Sequence, residues 1–177
     1  MNDHGPEEFN PQDFLASFRH IAVGVLMSPR AFFQQMRRTG GFLPPLIFMA
    51  ACLLIHTLIV GLLHKDMALM GRNLALGLLF PFITAGLAYI LLTQVFRTRG
   101  TFESAFRVNA YAAAVNLLSW FPMVGALFEF YRLYVITLGL CATFETSPWK
   151  AFGALTIIMI AYILLARALT PLAGGMM

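Results

Sequence analysis

From Phe42 onward the chain is a succession of apolar stretches separated by short polar breaks, at Phe42–Leu63, Asn73–Phe96, Phe102–Phe121, Met123–Thr143 and Pro148–Leu169. A helix rises 1.5 Å per residue, so about 20 apolar residues cross the roughly 30 Å of a bilayer's hydrocarbon core. The pattern therefore predicts five membrane-spanning helices. Pro44-Pro45 suits the first turn of span one, whereas Pro81 falls inside span two and predicts a kink there. Thr101 is placed to cap span three, with Glu103 in its first turn. That span ends at Pro122, so spans three and four form an antiparallel hairpin with a tight turn. Ser147-Pro148 opens span five.

Before Phe42 the pattern changes. Asn10-Pro11-Gln12-Asp13 reads as a helix start, followed by Phe14, Phe18, Ile21 and Val25 at helical spacing, with polar or small residues between them. Ser28-Pro29 repeats the signal, and Arg30, Gln34, Gln35, Arg37 and Arg38 then alternate with Phe32, Phe33 and Met36 up to Gly40-Gly41. Both segments are too short to span. Both are expected to be membrane-surface helices, the basic second one at the headgroup level with its phenylalanines in the acyl boundary; the other reading of that second helix is that it packs on the bundle. The predicted class is an all-α integral membrane protein: a five-transmembrane-helix bundle over residues 41–177, preceded by N-terminal amphipathic, basic surface helices over residues 1–40.

Composition closes off the soluble alternative. Of 177 residues, 59% are hydrophobic and 11% charged, against about 45–50% and 25% in soluble domains, which leaves too few polar side chains to cover a water-exposed surface. The net charge of +4 would suggest nucleic acid in a soluble protein. Here the basic residues flank the apolar stretches, which points to anionic headgroups and membrane topology instead, with no nucleic-acid partner. With the N-terminus inside, the cytoplasmic segments hold Arg19, Arg30, Arg37, Arg38, Arg97, Arg99, Arg107 and Lys150, and the outer ones Lys65, Arg72 and Arg167. This imbalance predicts a cytoplasmic N-terminus and an outside C-terminus; a four-span chain would put both termini on one side. Arg19, Arg30, Arg37, Arg38, Arg97 and Arg99 are the candidate headgroup contacts. The polar, acidic N-terminus reads as no cleavable signal peptide, so span one is expected to act as its own insertion signal.

Ionisable residues inside a span cost about 2.5–3.5 kcal/mol each at its centre unless paired or hydrated, so they mark candidate sites. Glu129 and Arg132, three apart in span four, share a face and can pair. Asn109, Ala112, Ala113 and Asn116 form a matching stripe on span three, expected to face the stripe of Gly125, Glu129, Arg132, Ile136, Gly139 and Thr143 and to hydrogen-bond across it. His56, midway along span one, either joins this cluster or donates to a backbone carbonyl. The cluster either fixes helix packing, or lines a polar path or binds a lipid headgroup. Cys52 and Cys141 read as core residues. No metal-binding, nucleophile-elbow or phosphate-loop motif is present, and Ser104 and Ser119 have no histidine near them in sequence. No enzyme activity, catalytic residue, metal or cofactor is expected.

Met27-Ser28-Pro29-Arg30-Ala31-Phe32-Phe33, then Arg99-Gly100-Thr101-Phe102-Glu103-Ser104-Ala105-Phe106-Arg107-Val108 leading to Ala110-Tyr111-Ala112, resembles the Ypt-interacting-protein (Yip) membrane domain family, as do Gly139-Leu140 and Thr146-Ser147. The resemblance covers nearly the whole chain from about Met27. It implies five spans, a cytoplasmic N-terminus and an outside or lumenal C-terminus. It also implies a role like that of relatives linked to vesicle trafficking and small GTPases of the Rab type, here in the short-tailed prokaryotic branch and thus the bacterial inner membrane. The family often carries a proline soon after Ala-Tyr-Ala. Ala113-Ala114-Val115-Asn116 has none, so no break is expected there.

These readings predict a non-enzymatic protein that organises or remodels membrane, or handles lipid. A small-solute or ion transporter using the polar cluster is the second reading, and a structural subunit of a membrane complex the third. Expected partners are membrane lipids, including anionic ones, and a homo-oligomer or a membrane-protein partner.

Overall fold

The structure, a computed structural model, describes residues 8–65, 67–119 and 125–174. They are all-helical. A single 3-10 turn, Pro11–Asp13, leads into α1 (Phe14–Met27) and α2 (Pro29–Gln35), and the body follows as α3 (Leu43–His64), α4 (Met67–Ile90), α5 (Phe102–Tyr111), α6 (Gly125–Phe144) and α7 (Pro148–Gly174). Four of these, α3, α4, α6 and α7, are long and apolar enough to cross a bilayer.

Several predicted starts hold to the residue. The Asn10 side chain accepts from the Gln12 amide at 3.1 Å, and α7 begins at Pro148. Thr101 caps α5 in a reciprocal capping box, but its partner is Ser104, which leaves the Glu103 carboxylate for other work. α4 starts at Met67, six residues before the expected Asn73, because Met67–Gly71 continues the apolar run and Arg72 is tolerated near a helix end. It continues through Pro81 and ends in one wider π turn, Leu91–Val95. The turn expected at Pro122, with Trp120, Phe121 and Met123 around it, lies outside the described residues.

α5 is the element the others surround, buried along its whole length from Ser104 to Asn116. It is α-helical for ten residues and then tightens to a 3-10 helix over Ala112–Leu117, so the uninterrupted helix expected there is not found. The cause is not a proline. A 3-10 helix eclipses side chains three apart, which Ala112, Ala113 and Ala114 allow, and it rises about 2.0 Å per residue against 1.5 Å. The sixteen residues of Phe102–Leu117 thereby reach about 27 Å, nearly the hydrocarbon thickness.

One end of the body carries a charged layer. There the start of α3 (Gly41), the start of α5 (Glu103, Arg107), the end of α6 (Ala142, Glu145) and the stretch after α2 (Arg37, Arg38) are joined by hydrogen bonds. The loop after α4 closes on the same end, since a Cβ on Gly100 would overlap the Phe144 ring.

α1 and α2 are built into the side of the body: the surface reading fails for both, and the other reading of α2, packing on the bundle, is the one found. Ile21, Ala22 and Val25 of α1 and Pro29, Phe32 and Phe33 of α2 are buried, and Phe32 packs edge-on against Tyr111 of α5. Phe32 and Phe33, expected in the acyl boundary, are protein core instead, whereas Phe14 of α1 stays exposed. The reason is local: Phe32, Phe33 and Met36 share one face of a helix only two turns long, and Phe33 on that face comes up against Gly139, where a Cβ would lie 3.3 Å from its ring. The outer face of α1 stays apolar, with Leu15 at 80% and Met27 at 79% exposure.

Candidate functional site

Arg107 is the largest fully buried side chain in the described protein, at 0% exposure. Burying a guanidinium requires that its donors be met, and four bonds do so. Nε donates to Glu103 Oε1 at 3.2 Å, Nη2 to Glu8 Oε1 at 2.8 Å and to the Gly41 carbonyl at 2.9 Å, and Nη1 to the Arg37 carbonyl at 3.3 Å. Glu103 Oε1 also accepts from the Gly41 amide at 2.7 Å, and Glu8 Oε2 pairs with Arg37 at 3.1 Å. One arginine thus ties the N-terminal segment, the α2–α3 linker and α5 together. Gly40, at φ +139°, makes room for it, since a Cβ there would lie 2.9 Å from Arg107 Nη2. The sequence reading counted Arg107 only as a flanking charge. Its i,i+4 spacing from Glu103 at the start of an alanine-rich segment was the available signal; Glu8, 99 positions away from it, left none.

Next to this layer Phe9, itself buried, donates its amide to the Tyr111 hydroxyl at 3.3 Å. From there α1 descends alongside the 3-10 segment of α5. Its last turn is held by the Tyr131 hydroxyl of α6, which donates to the Leu26 carbonyl at 2.7 Å. Tyr131 lies thirteen residues from the end of α6 at Phe144, about 20 Å along the axis. α2 then returns along α6: Ser28 and Pro29 border Tyr134 and Leu138, Phe33 approaches Gly139, and Arg38 bonds Ala142 and Glu145. The two helices form a hairpin that enters the body from the charged end, turns between about half and two-thirds of the way along α6 and comes back.

The candidate headgroup arginines divide accordingly. Arg37 and Arg38 are engaged in the charged layer, Arg38 with Glu145 at 2.7 Å. Arg97 takes a left-handed conformation, φ +53°, closing α4, and Arg99 borders a shallow depression with Arg38, Thr101 and Glu145. Arg19 and Arg30 lie exposed on the hairpin.

The predicted intramembrane cluster is split. His56 Nδ1 meets the Asn116 backbone carbonyl at 2.9 Å, which requires the proton on Nδ1. Ser119 Oγ, read in the sequence as lacking a histidine, stands 3.5 Å from that nitrogen while donating to the same carbonyl. No carboxylate among the described residues partners this His56, so no triad forms. Arg132, Glu129 and Asn109 gather elsewhere, around a groove of about 520 Å³ walled by α4, α5, α6 and α7. α5 and α6 meet where a Gly139 Cβ would come within 2.5 Å of Val108, a residue outside the predicted stripe of α5. The amide-to-guanidinium bonds expected across them are not made: Asn109 Nδ2 donates to its own helix at Ala105 O. Arg132 and Glu129 stand 3.7 Å apart, too far for a hydrogen bond, and Arg132 Nε is buried without a partner.

Among the described residues no three metal-binding side chains converge, and no arrangement of nucleophile, base and orienting acid is assembled. A family model, the Yip1 domain, matches residues 23–168. The chain belongs to the Yip1 family. The match begins inside α1 and takes in α2 and most of the body, so in this Yip1-domain protein the hairpin belongs in large part to the domain itself. That makes it a membrane protein, in accord with its four long apolar helices. Comparison with curated proteins and with solved structures gave no match.

Proposed function

We propose that this Yip1-domain protein is a non-enzymatic organiser of the bilayer that acts by carrying extra volume in one leaflet. Alternating elements begin and end at the charged layer, and α5 is long enough in its mixed form to cross with the others. The reading is therefore of five crossings, a cytoplasmic N-terminus and an outside C-terminus, in a bacterial inner membrane.

The observation that carries the proposal is the Tyr131–Leu26 hydrogen bond. It fixes the tip of the α1–α2 hairpin between about half and two-thirds of the way along α6 from the charged layer, while Leu15, Val23 and Met27 project apolar side chains outward at 80%, 51% and 79% exposure. A hairpin of that depth adds more cross-section to the cytoplasmic leaflet than to the other. Lipids must rearrange around such a wedge, and the bilayer bends toward the narrower side. Arg19 reaches the headgroups from the hairpin by extending its stem, whereas Arg30, next to Pro29 at the tip, lies too deep to do so. A trafficking-like role follows from the family resemblance, with lipids as the immediate partners.

The test is vesicle shape. Purified protein reconstituted at rising density should convert large vesicles into tubules or small vesicles. Replacing Leu15, Val23 and Met27 together by serine should weaken this at least several-fold, because these residues face outward and their loss leaves the core intact. Vesicles that keep their size at every protein density would refute the proposal.

A further inference from the structure

The groove around Arg132 lies away from the hairpin and plays no part in that proposal. It is a binding site in its own right by three features. Its floor is buried and apolar, formed by Ile136, Leu155 and Ile158 at 3–4% exposure, and its volume of about 520 Å³ falls within the range of small-molecule pockets. Its rim holds two opposite charges that are not hydrogen-bonded to each other. One of them, Arg132, keeps a buried Nε without an acceptor, a state that a ligand oxygen would relieve.

Position narrows the ligand. Arg132 lies seven residues from the start of α6 at Gly125, about 10 Å along the axis, and Glu129 lies one turn nearer that end. The charges therefore sit toward the end of the bundle opposite the charged layer, and the apolar floor runs from them toward the middle. A head-to-tail amphiphile fits this polarity. A guanidinium matches a phosphate, and a half-exposed carboxylate beside it matches an ammonium.

We propose that this groove binds a zwitterionic aminophospholipid of the outer-facing leaflet, its phosphate on Arg132, its ammonium on Glu129 and one acyl chain along Ile136, Leu155 and Ile158. The other face of the α6–α7 pair supplies an internal comparison. There a groove of about 390 Å³ has a fully apolar and hydroxyl-bearing lining without a charge, so it can hold a chain but cannot choose a headgroup.

The experiment is native mass spectrometry of the full chain, released from nanodiscs of equimolar phosphatidylethanolamine, phosphatidylglycerol and diacylglycerol. The wild type should retain phosphatidylethanolamine at least tenfold over the others. Glu129→Gln should lose the preference over phosphatidylglycerol while keeping phospholipid, and Arg132→Gln should retain neither above diacylglycerol. Ile158→Trp, which fills the floor without touching the charges, should lose all bound lipid at the site, and it decides the matter if Arg132→Gln fails to fold. Equal retention of the three lipids by the wild type, or unchanged selectivity in the Glu129 and Arg132 variants, would overturn the proposal. Vesicle remodelling is unaffected by either outcome.

Discussion

Arg107 shows how much of this protein depends on single side chains far apart in sequence. Truncating one member of a buried, hydrogen-bonded charge network leaves the others desolvated and unpaired, at a cost of about 3–5 kcal/mol. Arg107→Gln should lower thermal stability in detergent by that order, and Arg107→Lys should recover only part of it, because one ammonium cannot reach Glu8, Glu103 and two carbonyls from a single point. Gly40→Ala should destabilise through the same network, by strain at its positive φ and by displacing Nη2. Thermal unfolding of the three variants against wild type checks this; an unchanged midpoint in Arg107→Gln would show that the layer contributes nothing. What the sequence made legible at this scale was local. Asn10 and Thr101 announced their caps, and Glu129 and Arg132 their shared face, because those interactions are set within four residues. Glu8 pairing with Arg107, or Tyr131 with Leu26, depends on how helices dock, and no periodicity carries that.

Among the elements, hydrophobic length identified α3, α4, α6 and α7 as spans, since a bilayer imposes a length that composition has to meet. α5 shows where that rule weakens. It is enclosed by protein, so it keeps Arg107, Asn109 and Asn116 buried, and it makes up in rise per residue what it lacks in number. For α2 the sequence left lipid and protein open as the partner, because its amphipathic pattern is the same for a helix on either. The choice is made by Gly139, which lets α2, α5 and α6 converge. Gly139→Val should push Val108 and Phe33 apart and destabilise the protein by about 1–3 kcal/mol. Tyr131→Phe, which removes only the bond to Leu26, should cost about 1 kcal/mol and loosen the hairpin tip. Hydrogen–deuterium exchange at residues 24–30 would show the second effect, as faster exchange there with the rest of the protein unchanged.

For the whole molecule the same features define an asymmetric body. Ion pairs concentrate at one end, where positive charge also predominates. The hairpin widens that half, and the Arg132 groove occupies the other. Such a body interacts differently with the two leaflets, which is the physical content of both functional proposals. Neither the groove nor the hairpin depth was readable from composition, because each is built by three or more helices brought together.

The most direct test is the depth of the hairpin in a bilayer. Spin labels at Leu15→Cys and Met27→Cys, in a background with Cys52 and Cys141 replaced by alanine, occupy the two ends of α1 on its outer face. In reconstituted protein, relaxation by oxygen relative to a water-soluble nickel chelate should place the Met27 label near the bilayer centre and the Leu15 label close to the cytoplasmic interface. Both labels at one shallow depth would mean that α1 lies along the membrane surface, and would contradict the hairpin on which this account rests.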